Sequence, residues 1–154
     1  MQILFVCTGN SCRSPMAAAL FKKMAQDEGL SVQVQSCGIA TFLGMGASRE
    51  AIEVLRHVDI DLLGHKSKPL NEELVNWSDL ILVMERRHKN RVLEDWPEAK
   101  NKVFLLTEFA KLEEKDIIDP VGKPPEVYEG LLMDLKFYLS KIIEVIKNES
   151  NNSK

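Results

Sequence analysis

The apolar positions of this chain fall into two kinds of run that alternate along it. Short, continuous stretches such as Ile3-Leu4-Phe5-Val6 and Leu80-Ile81-Leu82-Val83-Met84 read as buried strands. Longer stretches repeat apolar residues at spacings of three and four and read as helices. Alternating strand and helix predicts β-α-β units, and so a parallel sheet with helices on both faces.

Taken in order, the spacing predicts strands over 2–6, 32–36, 80–84 and 103–106. The first helix is expected over 14–28, with Met16, Leu20 and Met24 on one stripe and Gly29 as its stop. Residues 38–47 hold Gly38, Gly44 and Gly46 with Phe42 and Leu43, and read as a flexible loop. Ser48 then caps a second helix that buries Ile52, Leu55 and Val58, and Asn71 caps a short one through Leu74 and Trp77. A further helix over 87–94 stops near Pro97. The charged stretch 111–125 leads into the last helix, expected over 125–148. Its core-facing residues are Val127, Leu131, Leu135, Tyr138, Ile142 and Ile146. Residues 1–148 thus read as one domain and 149–154 as a frayed polar tail.

Composition changes this picture little but narrows the function. A net charge of −3 argues against a nucleic-acid binder, which needs a basic face. No apolar run approaches the ~20 residues of a membrane span, and none resembles a signal peptide, so a cytoplasmic protein is expected. Three cysteines are too few for a disulfide framework.

The chemistry is concentrated in Cys7-Thr8-Gly9-Asn10-Ser11-Cys12-Arg13-Ser14-Pro15, between the first strand and the first helix. Such a loop aims free backbone N–H groups and the helix dipole at one spot, which favours an anion there. Cys7 places a nucleophilic sulfur in that field, and Arg13 supplies a guanidinium that matches phosphate oxygens. Gly9 lets the backbone curl close, Asn10 tolerates a left-handed backbone, and Ser14 and Pro15 suit a helix N-cap and first position. A cysteine at a strand end is otherwise most often a small buried hydrophobe; Arg13 and the loop donors argue for a nucleophile here.

Val6, Cys7, Gly9, Asn10, Cys12, Arg13, Ser14 and Pro15 match V-C-x-G-N-x-C-R-S-P, and the stretch resembles the low-molecular-weight protein tyrosine phosphatase family. The resemblance implies a flavodoxin-like three-layer α-β-α fold on a four-stranded parallel sheet of order 2-1-3-4. It also implies a monomer with no cofactor and no metal, acting on a phosphorylated protein or peptide and releasing inorganic phosphate. Cys7 would be the nucleophile, Arg13 the phosphate ligand, and Thr8, Gly9, Asn10, Ser11, Cys12 and Ser14 the rest of the substrate cradle.

The remaining roles rest on the same resemblance. A general acid is needed, and the family's Asp-Pro loop after the fourth strand points to Asp119-Pro120. Taken alone, an Asp-Pro pair usually marks only a turn; Asp116 is the nearest rival, and Glu113, Glu114 and Glu126 read as solvated. His65 resembles a family histidine that braces the loop through Asn10. His57 and His88 read as surface residues, and Cys37 as inert. A reversible Cys7–Cys12 disulfide is implied as a protective off-state.

Ser11 and the segments 79–84, 87–89 and 102–108 look most like bacterial members, and Ser11 is nearer the small hydroxyl of the protein-arginine phosphatases than the bulky aliphatic of tyrosine-specific enzymes. Phosphoarginine is therefore favoured over phosphotyrosine. Val121 and Ala40 stand where the family places aromatic walls, which leaves a thin pocket. A low-specificity tyrosine phosphatase and a non-catalytic phosphate-binding or thiol-sensing module are the alternatives. An arsenate reductase is a poor fit, because no cysteine follows Cys37.

Overall fold

The computed structural model describes residues 1–153. Four parallel strands form one sheet in the order β2-β1-β3-β4: β1 (Gln2–Cys7), β2 (Gln33–Gly38), β3 (Leu80–Val83) and β4 (Val103–Leu105). Side chains alternate across the sheet, so Ile3, Phe5 and Cys7 join one apolar cluster and Leu4 and Val6 the other. The first cluster is closed by α1 (Arg13–Asp27), α2 (Arg49–Arg56) and α6 (Pro125–Asn152), and the second by α3 (Glu72–Trp77) and α4 (Arg86–Asp95). Central β1 and β3 are covered on both faces, which is why they read as unbroken apolar runs. The three-layer arrangement is the expected one.

Ser48 and Asn71 act as caps, accepting from the amides of Ala51 and Leu74. Several boundaries differ from the sequence reading. The first helix begins at Arg13 with Cys12 as its N-cap, because the Ser14 hydroxyl is drawn into the loop instead of capping. β1 and β2 run on to Cys7 and Gly38, since the two strand ends pair in register there. On α2 the buried residues are Ala51, Val54 and Leu55, while Ile52 and Val58 pack at the edge of the core.

A short helix, α5 (Leu106–Phe109), follows β4 where no separate element was expected. Four residues give too few positions for helical periodicity to register. The last helix continues past 148 to Asn152, so residues 149–152 are helical, not frayed; no glycine or proline interrupts them. Lys154 of the expected tail lies outside the described residues. Val127 is 38% exposed and does not face the core, because Tyr128, Leu131 and Leu135, spaced by three and four, form the buried stripe and leave Val127 beside it. No helix among the described residues is long and apolar enough to cross a membrane.

Candidate active site

Between β1 and α1 the loop closes on the sulfur of Cys7, at the sheet edge where strand order reverses and α/β folds bind ligands. Cys7 Sγ lies 2.9 Å from Ser14 Oγ and accepts from the Asn10 N–H at 3.3 Å. Cys7 is almost wholly buried. The loop thus presents hydrogen-bond donors to the sulfur, one from the backbone and one side-chain hydroxyl.

Asn10 holds the loop's shape. Its φ is 55°, in the left-handed region, and it is completely buried. Every polar atom of its side chain is used. Nδ2 donates to Ser14 Oγ at 2.8 Å and Ser36 Oγ at 2.9 Å, and Oδ1 accepts from the Lys68 amide at 3.1 Å. Its carbonyl accepts from His65 Nε2 at 2.8 Å. Burial pushes the His65 pKa down, partly offset by that bond to Asn10, so the ring braces the loop as a neutral donor. Strain of order 1–3 kcal/mol in a left-handed non-glycine residue persists only when its surroundings over-determine it, and these four partners do so.

The end of β2 is stitched to the same loop. Ile39 and Ala40 donate their amides to the carbonyls of Cys7 and Thr8, each at 3.0 Å. A Cβ at Gly38 would stand 2.5 Å from the Thr8 carbonyl oxygen and 3.0 Å from the Asn10 nitrogen. Only glycine admits this approach. Gly38, which reads from sequence as part of a flexible loop, is a built part of the site.

Arg13 is 2% exposed, and its guanidinium crosses the mouth of the cradle. Nη1 donates to Glu85 Oε2 and to the Ile117 carbonyl, both at 2.7 Å. Nη2 lies 3.5 Å from Thr8 Oγ1 and 3.7 Å from Asp119 Oδ2. Asp119, 112 residues from Cys7 in sequence, is thereby carried over the loop by the segment between α5 and α6. It remains 46% exposed, with Oδ1 accepting from the Val121 amide. Its rival Asp116 is spent on the Arg86 amide, at 2.8 Å. Glu113, Glu114 and Glu126 are exposed.

Residues after β3 complete the rim, and sequence reasoning missed them. Glu85 accepts from both Arg13 and Arg87. Burial alone would raise its pKa, but those two guanidiniums hold it below the usual carboxylate range. His88 is not a surface residue. It is fully buried, its Nδ1 accepts from the Glu85 amide at 3.0 Å, and its Nε2 therefore donates to Thr8 Oγ1 at 2.9 Å. Burial, reinforced by the positive charge of Arg13, lowers its pKa to about 4. Arg87 Nη2 reaches the same Thr8 oxygen at 2.6 Å. The cause lies in the strand register, which no local sequence pattern shows: Val83 pairs with Val6, so residues just past Val83 emerge beside Cys7.

Cys12 Sγ lies 3.6 Å from Ser11 Oγ within the loop. It also lies 3.1 Å from Ser48 Oγ and 3.7 Å from the hydroxyl of Tyr128. Burial and the neighbouring Cys12 raise the Tyr128 pKa to about 12, which keeps its hydroxyl protonated. Cys7, Cys12 and Cys37 are all free thiols, and deep burial beside Cys7 pushes the Cys37 thiol far up. Of the loop residues, Ser11 is half-buried at the rim. Phe42 and Val121 stand largely exposed and do not form a closed aromatic wall. No three His, Cys, Asp or Glu side chains among the described residues cluster in a way that could hold a metal ion.

Comparison with known proteins agrees with this geometry. Residues 2–152 match the sequence model described as low molecular weight phosphotyrosine protein phosphatase. A protein-arginine-phosphatase of Bacillus subtilis (strain 168) is 39% identical over 149 residues, covering 97% of this chain and 99% of that protein. A solved low molecular weight protein tyrosine phosphatase from T. tengcongensis superposes with a TM-score of 0.90 at 41% identity, over 94% of this chain and 98% of its own. A solved YwlE arginine phosphatase mutant with a phosphorylated active-site serine superposes with a TM-score of 0.92 at 39% identity, over 96% of each chain. Motif, strand order and these likenesses converge: the chain belongs to the low-molecular-weight phosphotyrosine protein phosphatase family and is a cysteine-dependent, metal-independent protein phosphatase.

Proposed function

We propose that the protein removes phosphoryl groups from arginine side chains of proteins in preference to tyrosine, through a phosphocysteine intermediate. The Cys7 sulfur attacks phosphorus as its thiolate, and the P–N bond breaks as the S–P bond forms. Asp119, protonated, gives its proton to the departing guanidine nitrogen. Its carboxylate then takes a proton from the water that attacks phosphocysteine, which frees inorganic phosphate and restores the thiolate. Arg13 and the loop amides hold the three equatorial oxygens as charge shifts among them.

One observation carries the arginine preference: Ser11 offers a small hydroxyl at the rim where a large aliphatic side chain would crowd a polar guanidinium. A site built to hydrogen-bond a polar substrate group discriminates strongly, whereas an apolar wall does not. Exposed Val121 and Phe42 give a phenol ring little to stack on. The Bacillus subtilis relative is named for the same activity, and the phosphorylated active-site serine of the solved mutant is a parallel for phosphorus carried on residue 7.

The test is kcat/KM on matched phosphoarginine and phosphotyrosine peptides. The expected result is a preference for phosphoarginine. A preference for phosphotyrosine of about tenfold, or about 1.4 kcal/mol of transition-state energy, overturns the assignment.

A further inference from the structure

Beside the phosphate loop, with Cys7 outside its lining, the surface folds into a cavity of about 310 Å³. Its floor is formed by Pro15 and Ala18 of α1 and by Ser36 of β2. Three lysines line it, Lys22 from α1 and Lys66 and Lys68 from the segment before α3, together with His65. Asp61 is the one carboxylate in the lining, and its Oδ1 is committed to the Leu63 amide at 2.8 Å. The protein as a whole carries −3, so a concavity with three cationic side chains and one acid runs against its overall charge.

The lining is also the scaffold of Asn10. Ser36 Oγ, the Lys68 amide and His65 Nε2 all belong to cavity residues, and all three bond Asn10. Those bonds hold the left-handed turn that aims the Asn10 amide at the Cys7 sulfur. Lys68 Nζ is tied to Gln35 Oε1, whereas Lys22 and Lys66 are exposed at the opening. Anything seated against His65 and Lys68 therefore touches the residues that set the loop's shape.

We propose that this cavity is a second anion site, taking a compact group with two adjacent phosphates, free or borne on a larger molecule, and that its occupant acts on the catalytic loop through His65 and Asn10. Lys22, Lys66 and Lys68 supply the charge. An anion bound here favours the charged imidazole, so the outward Nδ1 of His65 takes up a proton and donates to the bound oxygens while Nε2–H stays on the Asn10 carbonyl. The site is separate from the phosphoryl-transfer site and does not depend on which phosphorylated residue that site prefers.

The chain's three histidines make the test direct. His65 lines the cavity, His88 touches Thr8 of the catalytic loop, and His57 caps the C-terminal end of α2 outside the cavity lining. Imidazole NMR signals are followed in full-length protein whose catalytic loop is first saturated with vanadate, which the His88 signal reports. Pyrophosphate is then titrated. The expected result is a saturable shift of the His65 signal with His88 and His57 still. That shift should weaken by roughly tenfold in affinity in the double variant Lys22→Glu/Lys66→Glu and return in Lys22→Arg/Lys66→Arg. ADP titrated in parallel separates the sources: equal affinity marks a free anion as the occupant, and tighter ADP binding a nucleotide, and both uphold the site. No His65 shift once vanadate is bound, or a shift that the charge reversal leaves intact, overturns the proposal. Turnover of p-nitrophenyl phosphate provides the second readout. Pyrophosphate should change kcat at saturating substrate in the parent and not in the Lys22→Glu/Lys66→Glu protein, and purely competitive inhibition in both overturns the coupling.

Discussion

Arg13 Nη1 and Glu85 Oε2 meet at 2.7 Å, and the same nitrogen also holds the Ile117 carbonyl. One buried guanidinium therefore ties the loop after β1 to the end of β3 and to the segment that carries Asp119. The carboxylate fixes which edge of the guanidinium faces the cradle, and Nη2 is left pointing between Thr8 and Asp119. Replacing Glu85 with Gln keeps the shape and removes the charge. We expect kcat/KM to fall by about tenfold to a hundredfold, with fold and Tm little changed, read by steady-state kinetics and thermal unfolding.

Cys7→Ser should abolish turnover, by about 10⁴-fold or more, while phosphate analogues still bind, because the cradle of amides and Arg13 survives. Rapid acid quench and mass spectrometry of the parent protein should find phosphorus on Cys7 during turnover. A phosphorus-free Cys7 at steady state, with hydrolysis proceeding, contradicts the covalent route.

Asp119 and Asp116 differ in what they face. Asp119→Asn should lower kcat by roughly 10²–10⁴-fold on a substrate with a poor leaving group. The loss should be smaller on p-nitrophenyl phosphate, whose leaving group needs less protonation. Asp116→Asn should change kcat little, since that carboxylate only holds the Arg86 amide. Equal effects from the two variants would remove Asp119 from its assigned role.

His88 makes stability depend on pH. Its folded pKa is lowered to about 4 by burial and by Arg13, against 6.5 when exposed. Above pH 6.5 both states are neutral there and nothing is lost. As pH falls below 6.5 the unfolded chain takes up a proton that the folded one refuses, so stability declines until pH reaches about 4. The loss approaches roughly 3 kcal/mol at about 1.4 kcal/mol per pH unit. His65, lowered in the same direction, adds to the slope, so the measure is the difference between the parent and His88→Gln in urea unfolding over that range. Parallel curves for the two proteins refute it.

Gly38→Ala sets a methyl group against the Thr8 carbonyl. With backbone on both sides nothing flexible can give way, so either the end of β2 or the catalytic loop must move. We expect a loss of about 1–3 kcal/mol in stability and a fall in kcat of more than about tenfold at temperatures where the variant is still folded.

The sheet and the loop were legible because both are written locally. Ile3 to Val6 is an unbroken apolar run, and the nine residues from Cys7 carry their own turn and phosphate chemistry. What was not legible depends on register. Nothing in the letters around His88 says that its ring is buried, because the cause is the pairing of Val83 with Val6, which brings the start of α4 beside Thr8. Gly38 was misread for the same reason: a glycine among glycines suggests flexibility, and only the pairing of Cys7 with Gly38 shows that a side chain would have nowhere to go. Asp119 could be placed only by likeness to the family, since no local pattern spans the distance to Cys7.

Tyr128 reaches Cys12 from the first turns of the last helix, and Asp119 stands a few residues before it. The sulfur is therefore made early and its surroundings late. On the ribosome, Cys12 leaves the exit tunnel before Tyr128, which completes its surroundings, has been translated. An emerging chain thus holds Cys12 before Tyr128 and Arg13 before Asp119, and both contacts form only once the chain has been made through Tyr128.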